Sequence, residues 1–505
     1  MPDDLPPRSV ACALAAHVEL EIGASRAVER AYFDTFDNLL RGANLTLLWE
    51  EGRLHLTADG GRALAALEAP CVPTAVRAQE LPPGGLRDRV APVLGVRAAT
   101  ATACMRVRRQ AIQVLDSERK TIARLGIEEA SVLLDGGRCA RLAPRLTLGA
   151  VRGYDKAMDR IRRVAEGKLG LMAAAQSLVH EAIVRAGGRP SGPPAGVDAV
   201  LDPGQRSDRA AAAILTQLVG AIEANLPGTL ADLDSEFLHD LRVAVRRTRA
   251  LQRELRGVFP QAELERFRAE FRWLQAITGP SRDLDVYLLE FDAFAGSLPP
   301  TRRSDLEPLR LLLSQHRHRA RQRMARALRS QRTHTALADW NHLLAALPSL
   351  PDEGRPDAAQ PIGELSGRRI ASIYRRMVKM GSGIDDQTPS GALHDLRKQG
   401  KELRYLLEFF GALFPEGTVD PMLRTLKSLQ DTLGRFQDRE VQAEMVCSLS
   451  QETATQANGP AALMAMGLLV ERLSAQQAQA RAEFAQRFAP FADKGRRAAV
   501  QETFS

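Results

Sequence analysis

Aromatic side chains make up only 5% of the 505 residues, with three tryptophans and five tyrosines. So few stacking surfaces argue against a protein that grips single-stranded bases. Cysteine is scarce too. Cys12, Cys71, Cys104, Cys139 and Cys447 are odd in number, far apart and without a C-x-x-C pair. That argues against a disulfide framework or a zinc site and suits a reducing cytoplasm. No run of about 18 apolar residues occurs, so no transmembrane helix and no membrane partner are expected. Asp3 and Asp4, followed by a short apolar stretch from Val10 to Ala16, do not make a signal peptide. Acidic residues are the minority charge, 61 against 69 basic, and a net charge of +8 favours anionic partners. By length the chain holds two to four domains.

What is present is concentrated in one stretch, residues 235–260, SEFLHDLRVAVRRTRALQRELRGVFP. Ser235 reads as a helix N-cap and Pro260 as a stop. At about 100° per residue, Arg242, Arg246, Arg249 and Arg253 fall in one stripe with His239 beside it. Leu241, Leu251, Leu255, Val258 and Phe259 fall on a separate arc suited to a core. The stretch recurs at residues 390–415, SGALHDLRKQGKELRYLLEFFGALFP, at an offset of 155 (394 − 239). The same offset relates Leu274, Gln275, Gly279, Asp283 and Val286 to Leu429, Gln430, Gly434, Asp438 and Val441. A register held without a gap indicates a duplicated unit. Arg397, Lys401 and Arg404, with His394, rebuild the basic stripe. Glu408 replaces Arg253. Two such helices related by a pseudo-two-fold would bring both stripes to one axis.

The doubled HDLR helix with its downstream LQ…G…D segment resembles the conserved-histidine α-helical domain, CHAD, over roughly residues 205–500. The resemblance implies two similar helical bundles whose basic residues line a groove or pore that binds inorganic polyphosphate. His239, Arg242, Arg246, Arg249, Arg253, His394, Arg397, Lys401 and Arg404 are then the phosphate-binding candidates. Arg375, Arg376 and Lys379 join them from the helix that opens repeat two, which with Arg368 is more basic than its alanine-rich partner in repeat one. The histidines read as donors to phosphate or as orienting groups, not as catalysts or metal ligands, because no matched carboxylate cluster accompanies them.

Residues 1–188 read differently. HVELEI, NLTLLWEEGRLHLTA, CMRVRRQAIQVLD, KTIARLGIEEASVLLD and RLTLGAV alternate and are separated by turn residues, as antiparallel strands are. Helical spacing follows over 154–185. The expected fold is α+β, an antiparallel barrel or tunnel-like sheet followed by the all-α duplicated bundle. The segment order resembles the CYTH family of triphosphate tunnel proteins, whose enzymes hold a divalent metal on acidic strand residues. That resemblance makes Glu19 and Glu21 metal candidates, with Mg²⁺ or Mn²⁺ as the cofactor if the unit is active, and lets Arg106 and Arg108 line a tunnel. Gly23 stands where the family has a lysine, Leu47 and Trp49 where it has basic residues, and the strand near 146–148 lacks acids. With two carboxylates in view, metal-assisted hydrolysis is poorly supplied, and the unit is expected to be degenerate and the protein without a cofactor.

The expected domains are 1–188, a Gly/Pro-rich linker at 189–204, and a helical domain at 205–505 with repeats at about 207–347 and 361–490. Gly279-Pro280 is expected to break one helix, residues 305–332 to form a single long helix with a solvated arginine face, and the last helix to span about 460–488. Residues 348–361 form the inter-repeat loop. The function expected is polyphosphate binding in the cytoplasm, with granules as a location. The alternatives are a triphosphatase or a basic nucleic-acid binder.

Overall fold

A computed structural model describes residues 7–58, 61–188 and 199–504, and the chain divides into two compact units, residues 1–195 and 196–505. Asp3, Asp4 and the expected linker over 189–198 lie outside the described residues.

Among its described residues the first unit is one antiparallel sheet of nine strands with five helices. The strands are β1 (Glu19–Asp34), β2 (Leu45–Glu50), β3 (Arg53–Ala58), β4 (Ala63–Glu68), β5 (Ala75–Arg77), β6 (Ala98–Leu115), β7 (Thr121–Leu133), β8 (Cys139–Arg141) and β9 (Arg145–Ala150). The helices are α1 (Pro7–Ala15), α2 (Leu39–Gly42), α3 (Gly85–Leu94), α4 (Asp155–Gly167) and α5 (Leu178–Arg185). The order is β4-β3-β2-β1-β6-β7-β8, with β5 on β6 and β9 on β7. Alternation at period two puts successive side chains on opposite faces. Met105 and Val107 of β6, paired with Val132 and Ala130 of β7, pack under Ala182 and Ile183 of α5. Ile112 and Val114, paired with Leu125 and Ala123, face the other way, under α1 and α4. The β6–β7 register is unbroken between these pairs, so one ladder buries both faces, each at one end.

The second unit is helical. Repeat one holds α6 (Ser207–Ala231), α7 (Ser235–Glu254), α8 (Gln261–Gly296), α9 (Glu307–Leu328) and α10 (Gln331–Ala346). Repeat two holds α11 (Ile362–Gly381), α12 (Ser390–Phe410), α13 (Glu416–Ser448), α14 (Ser450–Ala454), α15 (Gly459–Ala482), α16 (Phe484–Phe488) and α17 (Lys494–Phe504). One core runs through both repeats, from Leu241 and Leu251 of α7 to Leu396 and Leu403 of α12. Trp340 is fully buried in it, 4.7 Å from the ring of Phe267 and 5.6 Å from that of Phe271. α6 is long and apolar enough to cross a membrane by length and composition, but Ala210, Ile214, Leu218 and Ile222 lie in this core.

Four local expectations are corrected. Asp234, not Ser235, caps α7: its carboxylate accepts from the amides of Glu236 (2.8 Å) and Phe237 (3.3 Å), the second and third helical positions. α8 runs on through Gly279-Pro280 as a helix of 36 residues. Proline there removes a donor and crowds the preceding turn, at a cost of about 3 kcal/mol. Two side chains bond carbonyls of the turn before it. Thr278 Oγ1 donates to the Leu274 carbonyl at 2.8 Å and Arg242 Nη1 to the Gln275 carbonyl at 3.0 Å. Burial of Leu274, Leu284, Tyr287 and Phe291 along the helix offsets the remaining cost. The single helix expected over 305–332 is two, because Ser330 takes an extended backbone and starts α10. The helix expected over 460–488 is α15 and α16, and α17 follows it.

The inter-repeat loop is a joint. The fully buried Arg355 donates to the carbonyls of Pro351, Val258, Leu347 and Leu350, and lies 3.6 Å from the buried Asp208 carboxylate. Ser207 N donates to the Gln360 carbonyl at 2.9 Å, and Ile362 N to that of Gln205 at 2.9 Å. The start of repeat one is thereby bonded to the start of repeat two.

Candidate anion-binding site

α7 and α12 meet through reciprocal contacts. Arg247 donates to Glu408, and Arg253 Nη2 lies 2.8 Å from Glu402. Position 402 is the equivalent of 247 (247 + 155) and 408 of 253 (253 + 155). Position i of one copy therefore meets position j of the other, and j meets i, the mark of two-fold pairing. Arginine in repeat one faces glutamate in repeat two at both contacts. That is why Glu408 departs from the repeat: a second arginine there would face Arg247 with like charge. Arg247 also lies over the rings of Tyr405 (5.7 Å) and Phe409 (5.8 Å).

The basic stripes converge at this seam. Burial, then Arg397 and then Arg246, push the Lys401 ammonium down to about 8; Asp438 opposes this and Arg242 adds to it. Lys401 thus sits in the field of both repeats. Arg246 Nε is buried and makes no hydrogen bond. Arg242 donates to the Gln275 carbonyl and to Thr278 Oγ1, both at 3.0 Å, and burial holds its guanidinium below the usual arginine range, with Arg246 and Arg282 adding to the shift. None of Arg242, Arg246, Arg249 and Lys401 has a carboxylate partner among the ion pairs of the described residues. Half-buried cations without a bonded carboxylate are the reverse of the usual surface arrangement.

The duplicated glycines explain part of the geometry. A Cβ on Gly279 would meet Arg242 Nη1 at 3.5 Å, and one on Gly434 would meet Arg397 Nη2 at 3.7 Å. In each copy the arginine lies against bare helix backbone. The duplicated aspartates differ more. Asp438 accepts from Arg397 Nη2 at 3.0 Å, whereas Asp283 acts on Arg242 only through its field. Burial pushes both carboxyls up.

The other candidates are distributed unequally. Burial and then Arg282 push the His239 imidazole down. His394 instead hydrogen-bonds Gln437, which stands at the position equivalent to Arg282 (282 + 155). Arg249 donates to the Gln275 side chain. Arg404 is paired with Glu408 at 2.6 Å on its own helix, and Arg253 is shared between Glu254 and Glu402. Arg376 donates to Gln399 at 3.1 Å, so it stands at the α11–α12 edge; Arg375 and Lys379 are exposed on α11. Sequence reading missed Arg268, Arg272 and Arg282 on α8. Burial, then Arg272, Arg253 and Arg268, hold Arg249 below the usual arginine range. Arg268 and Arg272 are one turn apart, and Gln275 and Gly279 continue their stripe, a spacing visible in the sequence.

The sheet unit separates its candidates. Glu19 and Glu21 pair in register with Leu115 and Gln113, on the face that also carries Met105 and Val107. Arg106 and Arg108 point from the other face, toward Glu29 (3.8 Å) and Glu129 (3.9 Å). Acids and arginines therefore do not line one tunnel. Glu19 and Glu21 are exposed, and Glu19 lies 3.8 Å from Arg119. Gly23 sits at a β1 bulge, where a Cβ would come within 3.2 Å of the Ala111 carbonyl oxygen, so a lysine there would press on the neighbouring strand. The buried Arg30 instead sits between Glu50 (2.8 Å) and Glu128 (3.3 Å). Among the described residues no three His, Cys, Asp or Glu side chains gather as metal ligands.

The architecture is that of a duplicated helical module accompanied by an antiparallel sheet unit. Residues 213–447 match the family model of the CHAD domain, and the chain carries a CHAD domain there. Two uncharacterized proteins of Mycobacterium tuberculosis, from two strains, are each 29% identical over 222 residues; the match covers 41% of this chain and 39% of each relative, so the chain spans well under half their length. Among solved structures, the CHAD domain of Ricinus communis is similar at 26% identity and TM-score 0.49, over 59% of this chain and 96% of that one. PptA from Streptomyces chartreusis is similar at 18% identity and TM-score 0.44, over 56% and 99%. The sheet unit is consistent with a CYTH-like barrel.

Proposed function

We propose that the helical unit binds inorganic polyphosphate along the seam between α7 and α12 and performs no chemistry on it. The observation that carries this reading is Lys401, a lysine of repeat two whose charge is disfavoured by burial, by Arg397 beside it and by Arg246 and Arg242 of repeat one. A chain of phosphates laid there relieves repulsion on both sides at once. Along α7, Arg242 to Arg253 cover about 16 Å at 1.5 Å per residue, so one orthophosphate engages only part of the stripe. The guanidinium fork suits two phosphate oxygens. His239 and His394, at the N-terminal ends of α7 and α12, donate to the same chain in this reading, and Arg375, Arg376 and Lys379 add field from α11. In cells the protein would accompany polyphosphate, in cytoplasmic granules where these form.

The test is calorimetric titration of the full chain with long-chain polyphosphate and with orthophosphate across salt concentrations. Long chains are expected to bind far more tightly, with affinity falling steeply in salt as condensed counterions are released. Equal affinity for both ligands overturns the reading. Tighter binding of duplex DNA in competition would favour the nucleic-acid alternative. Phosphate release from tripolyphosphate with Mg²⁺ or Mn²⁺, lost in Glu19→Gln with Glu21→Gln, would revive the triphosphatase.

A further inference from the structure

Arginines that serve the fold of α8 and its neighbours find carboxylates. Arg266 is paired with Asp339, Arg332 with Glu270 at 2.8 Å, and Arg282 with Glu236 at 3.3 Å. Arg268 and Arg272 have none among the ion pairs of the described residues, and neither does Arg249, to which both are near enough to disfavour its charge. Gln275, one turn further along the same α8 stripe, is bonded to Arg249 by its side chain and to Arg242 by its carbonyl, which fixes the α8 stripe against the α7 stripe. Repeat two does not reproduce this arrangement. Leu423 stands at the position of Arg268 and Lys427 at that of Arg272 (268 + 155, 272 + 155), and Arg404, the equivalent of Arg249, is neutralised by Glu408.

We propose that Arg249, Arg268 and Arg272 form a second anion subsite, present in repeat one only, which holds phosphate groups of a polyphosphate chain that runs on from the α7–α12 seam across α8. The inference rests on the polyphosphate reading and adds a direction to it: the chain leaves the seam on the repeat-one side. Three guanidinium groups without counter-ions repel one another, and one bridging polyanion removes that repulsion while gaining charge-assisted hydrogen bonds. A short phosphate seated at the seam does not reach both places.

The experiment is titration of the full chain and of Arg268→Ala with Arg272→Ala by long-chain polyphosphate and by tripolyphosphate. The ratio of long-chain to tripolyphosphate affinity is expected to fall by about tenfold or more, and the slope of log affinity against log salt for the long chain to become shallower by about one to two. Arg268→Lys with Arg272→Lys, which keeps the charge, is expected to keep most of the salt slope. Thermal melting monitors folding, and since both side chains reach solvent, little change is expected. An unchanged ratio in the alanine variant, with wild-type binding intact, overturns the subsite alone. Failure of the wild-type chain to bind polyphosphate overturns the polyphosphate reading and the subsite with it.

Discussion

The two repeats share a register of 155 residues and one core, yet their basic stripes are held in different electrostatic states. In repeat one Arg242, Arg246 and Arg249 carry no carboxylate partner among the described residues, and hydrogen bonds that two of them donate to neutral Gln275 oxygens hold those two in place. In repeat two Arg397 is tied to Asp438, Arg404 to Glu408, and Lys401 is held near the edge of its protonated range. The difference follows from the two-fold seam. Identical arginine-rich helices would repel across it, so repeat two supplies the acids that bind Arg247 and Arg253, while Arg242, Arg246 and Arg249 stay without a carboxylate partner among the described residues. Duplication supplied the scaffold, and divergence at 402 and 408 made it stick.

Breaking the joint that carries both copies should have the largest effect. Arg355→Met leaves the buried Asp208 with less compensation and four carbonyls without their donor. Unfolding in urea should show a loss of about 3–5 kcal/mol; a loss under 1 kcal/mol would remove the joint from this account. Next comes the comparison itself. Arg246→Ala with Arg249→Ala should weaken long-chain polyphosphate by roughly a hundredfold, while Lys401→Ala with Arg404→Ala should cost about tenfold, since Arg404 is already engaged by Glu408. Equal losses would mean that Glu408 releases Arg404 to the ligand. Two independent sites would show instead as halved stoichiometry at unchanged affinity in the calorimeter.

A smaller effect separates the copies by pH. The anion binds the charged form of Lys401 better, so its contribution is complete below about pH 8 and is lost as pH rises through that value towards the higher value of the bound state. Affinity should fall by at most about tenfold between pH 7 and pH 9.5. Binding at pH 8.5 should take up protons, read as an observed heat that varies with buffer ionisation enthalpy. Lys401→Arg should remove both signals. The smallest effect is expected at the half-exposed Arg397–Asp438 pair. Asp438→Asn frees the guanidinium and should tighten binding by about two- to fivefold, in keeping with the modest worth of such pairs. Weaker binding would show that Asp438 positions Arg397 for the ligand.

Much of this was legible from spacing. The doubled HDLR helix, its apolar arc and the downstream Leu-Gln…Gly…Asp segment are local patterns, and helical periodicity alone placed Arg242, Arg246 and Arg249 on one side. The Gly279-Pro280 break was misread because a proline signal is local, whereas the burial of Leu274, Leu284, Tyr287 and Phe291 that offsets its cost depends on packing against other elements. Ser235 was misread as a cap because its neighbour Asp234 reaches the second and third amides instead. Arg268 and Arg272 had the right spacing but no repeat partner to single them out together.

By itself the sequence determined the duplication, the two kinds of unit, and which helix faces are basic, because these depend on residue order at periods of 2, 3.6 and 155. Only the tertiary structure decided which cations keep their charge free. Glu408 lies one turn from Arg404 and opposite Arg247, Asp438 lies against Arg397, and Lys401 faces Arg246 only once α12 has packed on α7. Charge compensation depends on distance and burial across elements, and residue order along one element does not contain either.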